Sequence, residues 1–196
     1  MIIVLDTETT GLPKMVGFNK FKNPNSIENY DSSRVIQIAI GCYDSKEKNK
    51  ELEFHDILID PDNKFMIKNS HFHGITQEMA SKEGILFSDC ISLLKNILDK
   101  TDLIVGHNIK FDTHVLASEL YRIGEHKLAY TLLQKEIYCT CQNGKSVTKI
   151  KNKSNRYKLP TLEELYTYLY REPMLNYHNA KYDVIHTAKC YFKMIS

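Results

Sequence analysis

The chain opens Met-Ile-Ile-Val-Leu-Asp, and Ile2 to Leu5 leave no polar position on either side of a strand. Successive strand side chains point to opposite faces, so a strand apolar on both must be covered on both. That calls for a layered α/β arrangement with this segment as the central strand. No basic stretch precedes it and no small-residue cleavage site follows it, which reads as buried strand rather than signal peptide. Asp6 and Glu8 stand at its exit, two apart and hence on one face. Paired carboxylates repel unless a cation neutralises them, and hard oxygen donors suit magnesium or manganese. The competing reading is a solvated strand end, with Thr9, Thr10 and Gly11 as a tight turn.

Segments 35–43 (VIQIAIGCY) and 51–59 (ELEFHDILI) read as strands joined by the turn-prone DSKEKNK, an antiparallel pair. Apolar residues at helical spacing predict a helix over 86–98, starting near Ser88 and Asp89. DLIVGHN then reads as a short buried strand, followed by a helix over about 110–123 that ends at Gly124. A short strand is expected near Ile137. Residues 143–158 hold Lys145, Lys149, Lys151, Lys153, Arg156 and Lys158 without one acid and read as a mobile basic loop. Pro160 and Thr161 start the next helix, with Glu163 and Glu164 at the positive end of its dipole, and a last helix runs from about Lys181 to Met194.

At 196 residues and 42% hydrophobic composition the chain is expected to form one domain, 1–196. Lys plus Arg number 26 against 24 acids, so any nucleic-acid surface must be local rather than global. Five scattered cysteines suit reduced thiols, and Cys139 with Cys141 is a lone CxC without the second pair that a zinc site needs. No window approaches the ~18 apolar residues of a membrane span, so a soluble intracellular protein, cytoplasmic or nuclear, is expected.

Two further groups carry chemistry. His107, Asn108 and Asp112 follow the DLIVG strand, where α/β folds form ligand clefts, although an Asp there also complements a helix dipole. His178 precedes Asp183 by five positions at the entry to the last helix. Together DTETTGL (6–12), HNIKFD (107–112) and HNAKYD (178–183) resemble the three motifs of the DEDDh exonuclease family, which includes the DnaQ-like proofreading exonucleases. SRVIQIAI (33–40), HGIT (73–76) and KLPTLEEL (158–165) extend the resemblance over nearly the whole chain.

The resemblance implies a ribonuclease H-like fold, a mixed five-stranded sheet flanked by helices. It implies a 3′-to-5′ exonuclease acting on DNA or RNA 3′ ends, DNA favoured, in proofreading or repair, with a polymerase or repair assembly as a conceivable partner. Two Mg2+ or Mn2+ ions would be held by Asp6, Glu8, Asp112 and Asp183, with His178 as general base. Thr9, Leu12 and His73 would meet the terminal nucleotide, with His107 and Asn108 in the same substrate cleft; His73 is equally readable as a turn residue ahead of a Thr76 helix cap. Residues 13–33 form a long segment whose Phe18, Lys20, Phe21, Lys22 and Tyr30 are candidates for a lip over the substrate, and YCTCQ at 138–142 lacks the aspartate common in relatives. An exoribonuclease on the same fold and a catalytically silent nucleic-acid-binding domain are the rival readings.

Overall fold

A computed structural model describes residues 1–17, 20–175 and 179–196. Strand β1 (Ile2–Thr9) is followed by the short antiparallel pair β2 (Met15–Gly17) and β3 (Lys20–Phe21), then by β4 (Val35–Tyr43) and β5 (Glu51–Leu58). Helices α1 (Ser70–His73), α2 (Gln77–Glu83) and α3 (Ile91–Lys100) lead to β6 (Leu103–Gly106). Helices α4 (Lys110–Arg122) and α5 (His126–Gln134) precede β7 (Glu136–Cys139), and α6 (Thr140–Thr148), α7 (Leu162–Tyr170) and α8 (Ala180–Met194) complete the order.

The main sheet runs β5-β4-β1-β6-β7. β1 is antiparallel to β4 and parallel to β6, and β6 is parallel to β7, so this is the expected mixed five-stranded sheet with β1 at its centre. The alternation of β1 sorts its side chains between two layers. Ile3 and Leu5 join Ile38, Ile40 and Ile104 in a core under α3, α4 and α5. Val4 joins Ala39, Val105, Val184 and Ala188 in a second core under α8. Coverage on both faces is why the run needs no polar residue.

Several boundaries depart from expectation for identifiable reasons. The helix over 86–98 is a 3-10 turn at Phe87–Cys90 followed by α3, and no side chain caps α3 at its start. Helix α5, not anticipated, buries Leu128, Ala129 and Leu132 one turn apart. The basic loop is largely ordered structure. Helix α6 buries Thr140, Cys141, Gly144 and Thr148 at helical spacing, a face with too little hydrocarbon to announce itself in sequence. An added Cβ at Gly144 would stand 3.1 Å from both Leu165 and Pro160, so glycine lets α6 lie close to α7. Beyond α6, Lys151 bridges Tyr157 across a turn in which Asn152 Oδ1 accepts from the backbone N–H groups of Ser154 and Arg156. Tyr30, expected on a lip, is fully buried, and its hydroxyl donates to the Lys22 carbonyl. Thr161 and Glu164 close the capping box foreseen for α7.

No helix among the described residues is long and apolar enough to cross a membrane. Gly106, at the end of β6, fixes the approach of α4 to β1: a Cβ there would lie 2.9 Å from both the Leu5 carbonyl oxygen and Ile109 Cβ. Gly106→Ala should therefore destabilise the fold by about 1–3 kcal/mol through overpacking, with Tm falling roughly 2–4 °C per kcal/mol. An unchanged melting curve would show that β6 does not set this spacing.

Candidate metal centre

The face of β1 that carries Val4 against α8 continues outward through Asp6 and Glu8, both half-buried. Asp183 lies in the first turn of α8, beside the Val184 that packs in the same layer. One carboxylate oxygen from each of Asp6, Glu8 and Asp183 falls within 4.8 Å of the others. Strand alternation thus supplies two carboxylates, and docking of α8 supplies the third.

Asp112 arrives from the opposite layer. It sits buried in the first turn of α4, and Oδ1 accepts from the Thr7 amide at 3.0 Å and the Thr7 hydroxyl at 2.8 Å. Thr7 is the odd-numbered residue between Asp6 and Glu8 and faces α4, so the DTE run reaches both layers. The charge of Asp112 is felt at Asp6 across the strand. Thr7 was not singled out from sequence; the available signal was a polar residue on a strand face otherwise filled by Ile3 and Leu5.

Electrostatics mark the cluster as incomplete without positive charge. Burial pushes the Asp6 carboxyl well above its ordinary range, and Asp112, Asp183 and Glu8 push it further. Burial and then Asp183 raise Glu8 to about 7. Asp112 is also raised by burial, against the lowering effect of its Thr7 hydrogen bonds. Hard oxygen donors converging from strand and helix, with Asp6, Glu8 and Asp112 all resisting ionisation, fit a divalent cation site.

The other predicted residues are placed as follows. Thr9 donates its hydroxyl to the Gly11 carbonyl at 2.8 Å, and Leu12 is 65% exposed beside a cleft of about 450 Å³ that also involves Thr10, Phe65, Met66 and Asn69. The imidazole of His73 is buried and engaged with the chain, accepting from the Ile75 amide at 3.1 Å and facing the Lys68 carbonyl at 3.3 Å. Thr76 caps α2, its side chain accepting from the Met79 amide. His107 likewise has both ring nitrogens engaged, with the Thr140 hydroxyl at 3.0 Å and the Pro160 carbonyl at 3.1 Å. Burial lowers its pKa to about 4, leaving it neutral. Asn108 holds a left-handed φ of 66° at the turn into α4. Of the lip candidates, Phe21 packs its ring on Phe111 and His114 of α4, with centroids 6.1 and 5.6 Å away, which sets β3 beside the helix that bears Asp112. His178 and Phe18 lie outside the described residues.

With this geometry in view, comparisons with known proteins converge. The sequence profile of a family described as exonuclease matches residues 3–191. Exonuclease I of E. coli, solved with a dA16 oligonucleotide, superposes with a TM-score of 0.68 at 18% identity, over 99% of this chain and 40% of that one. Exonuclease X in complex with 5′ overhanging duplex DNA superposes at 0.57 and 18% identity, over 100% of this chain and 91% of that one. Exonuclease I of Methylocaldum szegediense gives 0.64 at 18% identity, over 98% and 39%. At such identities the likeness is one of fold, and this chain spans about 40% of the length of the Exonuclease I chains. No curated protein matches it in sequence.

Because the folded state raises the pKa of Glu8 to about 7, metal-free protein loses stability as pH rises from the ordinary carboxylate range through 7. A bound divalent cation should reverse this loss. Addition of Mn2+ is expected to raise Tm more at pH 8 than at pH 6, and Asp6→Asn should melt higher than wild type in EDTA at pH 8. Equal manganese shifts at both pH values would mean that the ion binds elsewhere.

Proposed function

This chain belongs to the DEDDh, DnaQ-like exonuclease family, matched over residues 3–191, and from that premise we propose a metal-dependent 3′-to-5′ exonuclease that releases nucleoside 5′-monophosphates, DNA being the favoured substrate. The carrying observation is the convergence of Asp6, Glu8 and Asp183 within 4.8 Å, with Asp112 fixed to the intervening Thr7. The DNA preference draws support from the oligonucleotides and duplex DNA bound by the solved neighbours. Residues 1–196 act in this reading as one exonuclease domain.

Asp6, Glu8, Asp112 and Asp183 are assigned as ligands of two Mg2+ or Mn2+ ions. Held there, such ions would supply the positive charge that makes a bound water more acidic and that offsets charge on the leaving 3′ oxygen. His178, five residues before Asp183, is assigned the role of accepting the water proton. The water oxygen bonds to phosphorus as the bond to the 3′ oxygen breaks. Thr7 keeps Asp112 oriented by donating two hydrogen bonds to one oxygen, leaving the other oxygen for an ion. Exposed Leu12 and the neighbouring cleft offer an apolar surface for the terminal nucleotide.

A magnesium-dependent assay on 5′-labelled single-stranded DNA and RNA should show stepwise shortening from the 3′ end, faster on DNA. Asp6→Ala should abolish it, and residual activity of even about a tenth would contradict the ligand assignment. His178→Ala should lower turnover by roughly a hundred- to ten-thousand-fold while manganese binding persists. Binding of strands without any shortening would instead favour a silent binding domain.

A further inference from the structure

Five cations between Lys145 and Arg156 are left over by the site just described. Lys145, Lys149, Lys151, Lys153 and Arg156 are all exposed, and the chain has no acid between Glu136 and Glu163. Among the described residues none of the five joins an ion pair, whereas the neighbouring Lys158 meets Glu164 at 2.6 Å. Like charges this dense repel one another, and an ordinary solvated face intersperses acids to relieve that.

The fold also prevents the segment from spreading. Lys145 is carried on α6, while the Lys151–Tyr157 bridge and the Asn152 turn hold Lys151 and Arg156 on one short ribbon. Lys145, Lys151 and Arg156 line one open cavity of about 430 Å³ together with Asn155 and Tyr157, the latter 48% exposed. Cations around a half-exposed aromatic ring and an amide suit a polyanion that also offers flat rings. An acidic peptide or an anionic membrane would supply charge alone.

The ribbon is tied to the end of the sheet where the acids gather. β6 and β7 run parallel to β1, so their carboxyl ends, Gly106 and Cys139, lie at the end where Asp6 and Glu8 emerge. Thr140, which starts α6, donates its hydroxyl to the Gly106 carbonyl at 3.2 Å. Pro160, just after the ribbon, faces His107 through its carbonyl at 3.1 Å, five positions before Asp112. The α6 end of the molecule is therefore continuous with the β6–α4 junction.

We infer that α6 and the ribbon after it form a phosphate-backbone binding surface for a nucleic-acid strand, gripping nucleotides on the 5′ side of the end that enters the acid cluster. The placement relative to that end rests on the exonuclease reading, whereas the capacity to bind a strand does not. Such contacts are blind to base sequence and fix the path of the strand. They would hold a long strand between successive cleavages and leave a dinucleotide untouched.

The test compares Lys145→Gln/Lys151→Gln/Arg156→Gln with Lys46→Gln/Lys48→Gln/Lys50→Gln, which removes the same charge from the β4–β5 turn at the opposite end of the sheet. Binding of a fluorescent oligothymidylate of about 20 nucleotides is followed by anisotropy in EDTA across a salt series, after unchanged melting curves confirm folding. The first variant should bind about tenfold or more weakly at low salt, with a slope of log affinity against log salt shallower by about 2, since each single-strand phosphate contact contributes roughly 0.7. The turn variant should bind as wild type. With magnesium, the first variant should raise KM for the long strand and leave kcat and dinucleotide hydrolysis unchanged. Equal weakening in both variants, an unaltered salt slope, or displacement of the strand by polyglutamate as readily as by polyphosphate would overturn the assignment. Absence of turnover on every substrate would sink the nuclease reading alone, because binding is measured without a metal ion.

Discussion

Three carboxylates within 4.8 Å of one another, in a partly buried setting, repel strongly. Two like charges about 4 Å apart cost on the order of 4 kcal/mol at an effective dielectric near 20. A chain tolerates that only where the fold leaves the groups no escape and a counter-charge relieves them. Both conditions shape this molecule. Apolar packing on either side of β1 supplies the rigidity, and burial first, then the neighbouring carboxylates, raise the pKa values of Asp6 and Glu8.

The division of β1 between two layers explains how sequence-distant acids meet. Even-numbered positions carry Val4, Asp6 and Glu8 toward α8, whose first turn brings Asp183. Odd-numbered positions carry Ile3, Leu5 and Thr7 toward α4, whose first turn brings Asp112. Helix α4 is locked from its other end by Glu119, which receives two hydrogen bonds from Arg34 at 2.6 and 2.9 Å. Arg34 directly precedes β4, the strand paired with β1, so this buried ion pair ties the helix that carries Asp112 back to the central sheet. Site and scaffold are built from the same few elements, and a shift in α4 or α8 changes the donor set.

The sequence was most informative where a periodic pattern met an apolar surface. Alternation in β1, the runs that became β4 and β6, and the Thr161–Glu164 cap could all be read because burial and local hydrogen bonding dictate those residue types. Helix α6 is hard to read in sequence because its buried face is Thr, Cys, Gly and Thr, and its Lys145 reads together with the cations beyond it as loop. The commitments of His73 and His107 were invisible for another reason: their partners include the backbone carbonyls of Lys68 and Pro160, which every residue type possesses. Tyr30 looked like a surface aromatic in a polar stretch, yet tertiary packing buried it completely. The acids were legible as a motif, while the means of holding Asp112 through Thr7 emerged only from the fold.

The central claim is that these four carboxylates are the ligands of a pair of divalent cations. Anomalous diffraction at the manganese edge from a crystal soaked in Mn2+ tests it most directly. The account predicts two peaks, roughly 3.5–4 Å apart, among the carboxylates of Asp6, Glu8, Asp112 and Asp183. Peaks elsewhere, or none among those four side chains in a crystal that binds manganese, would contradict it.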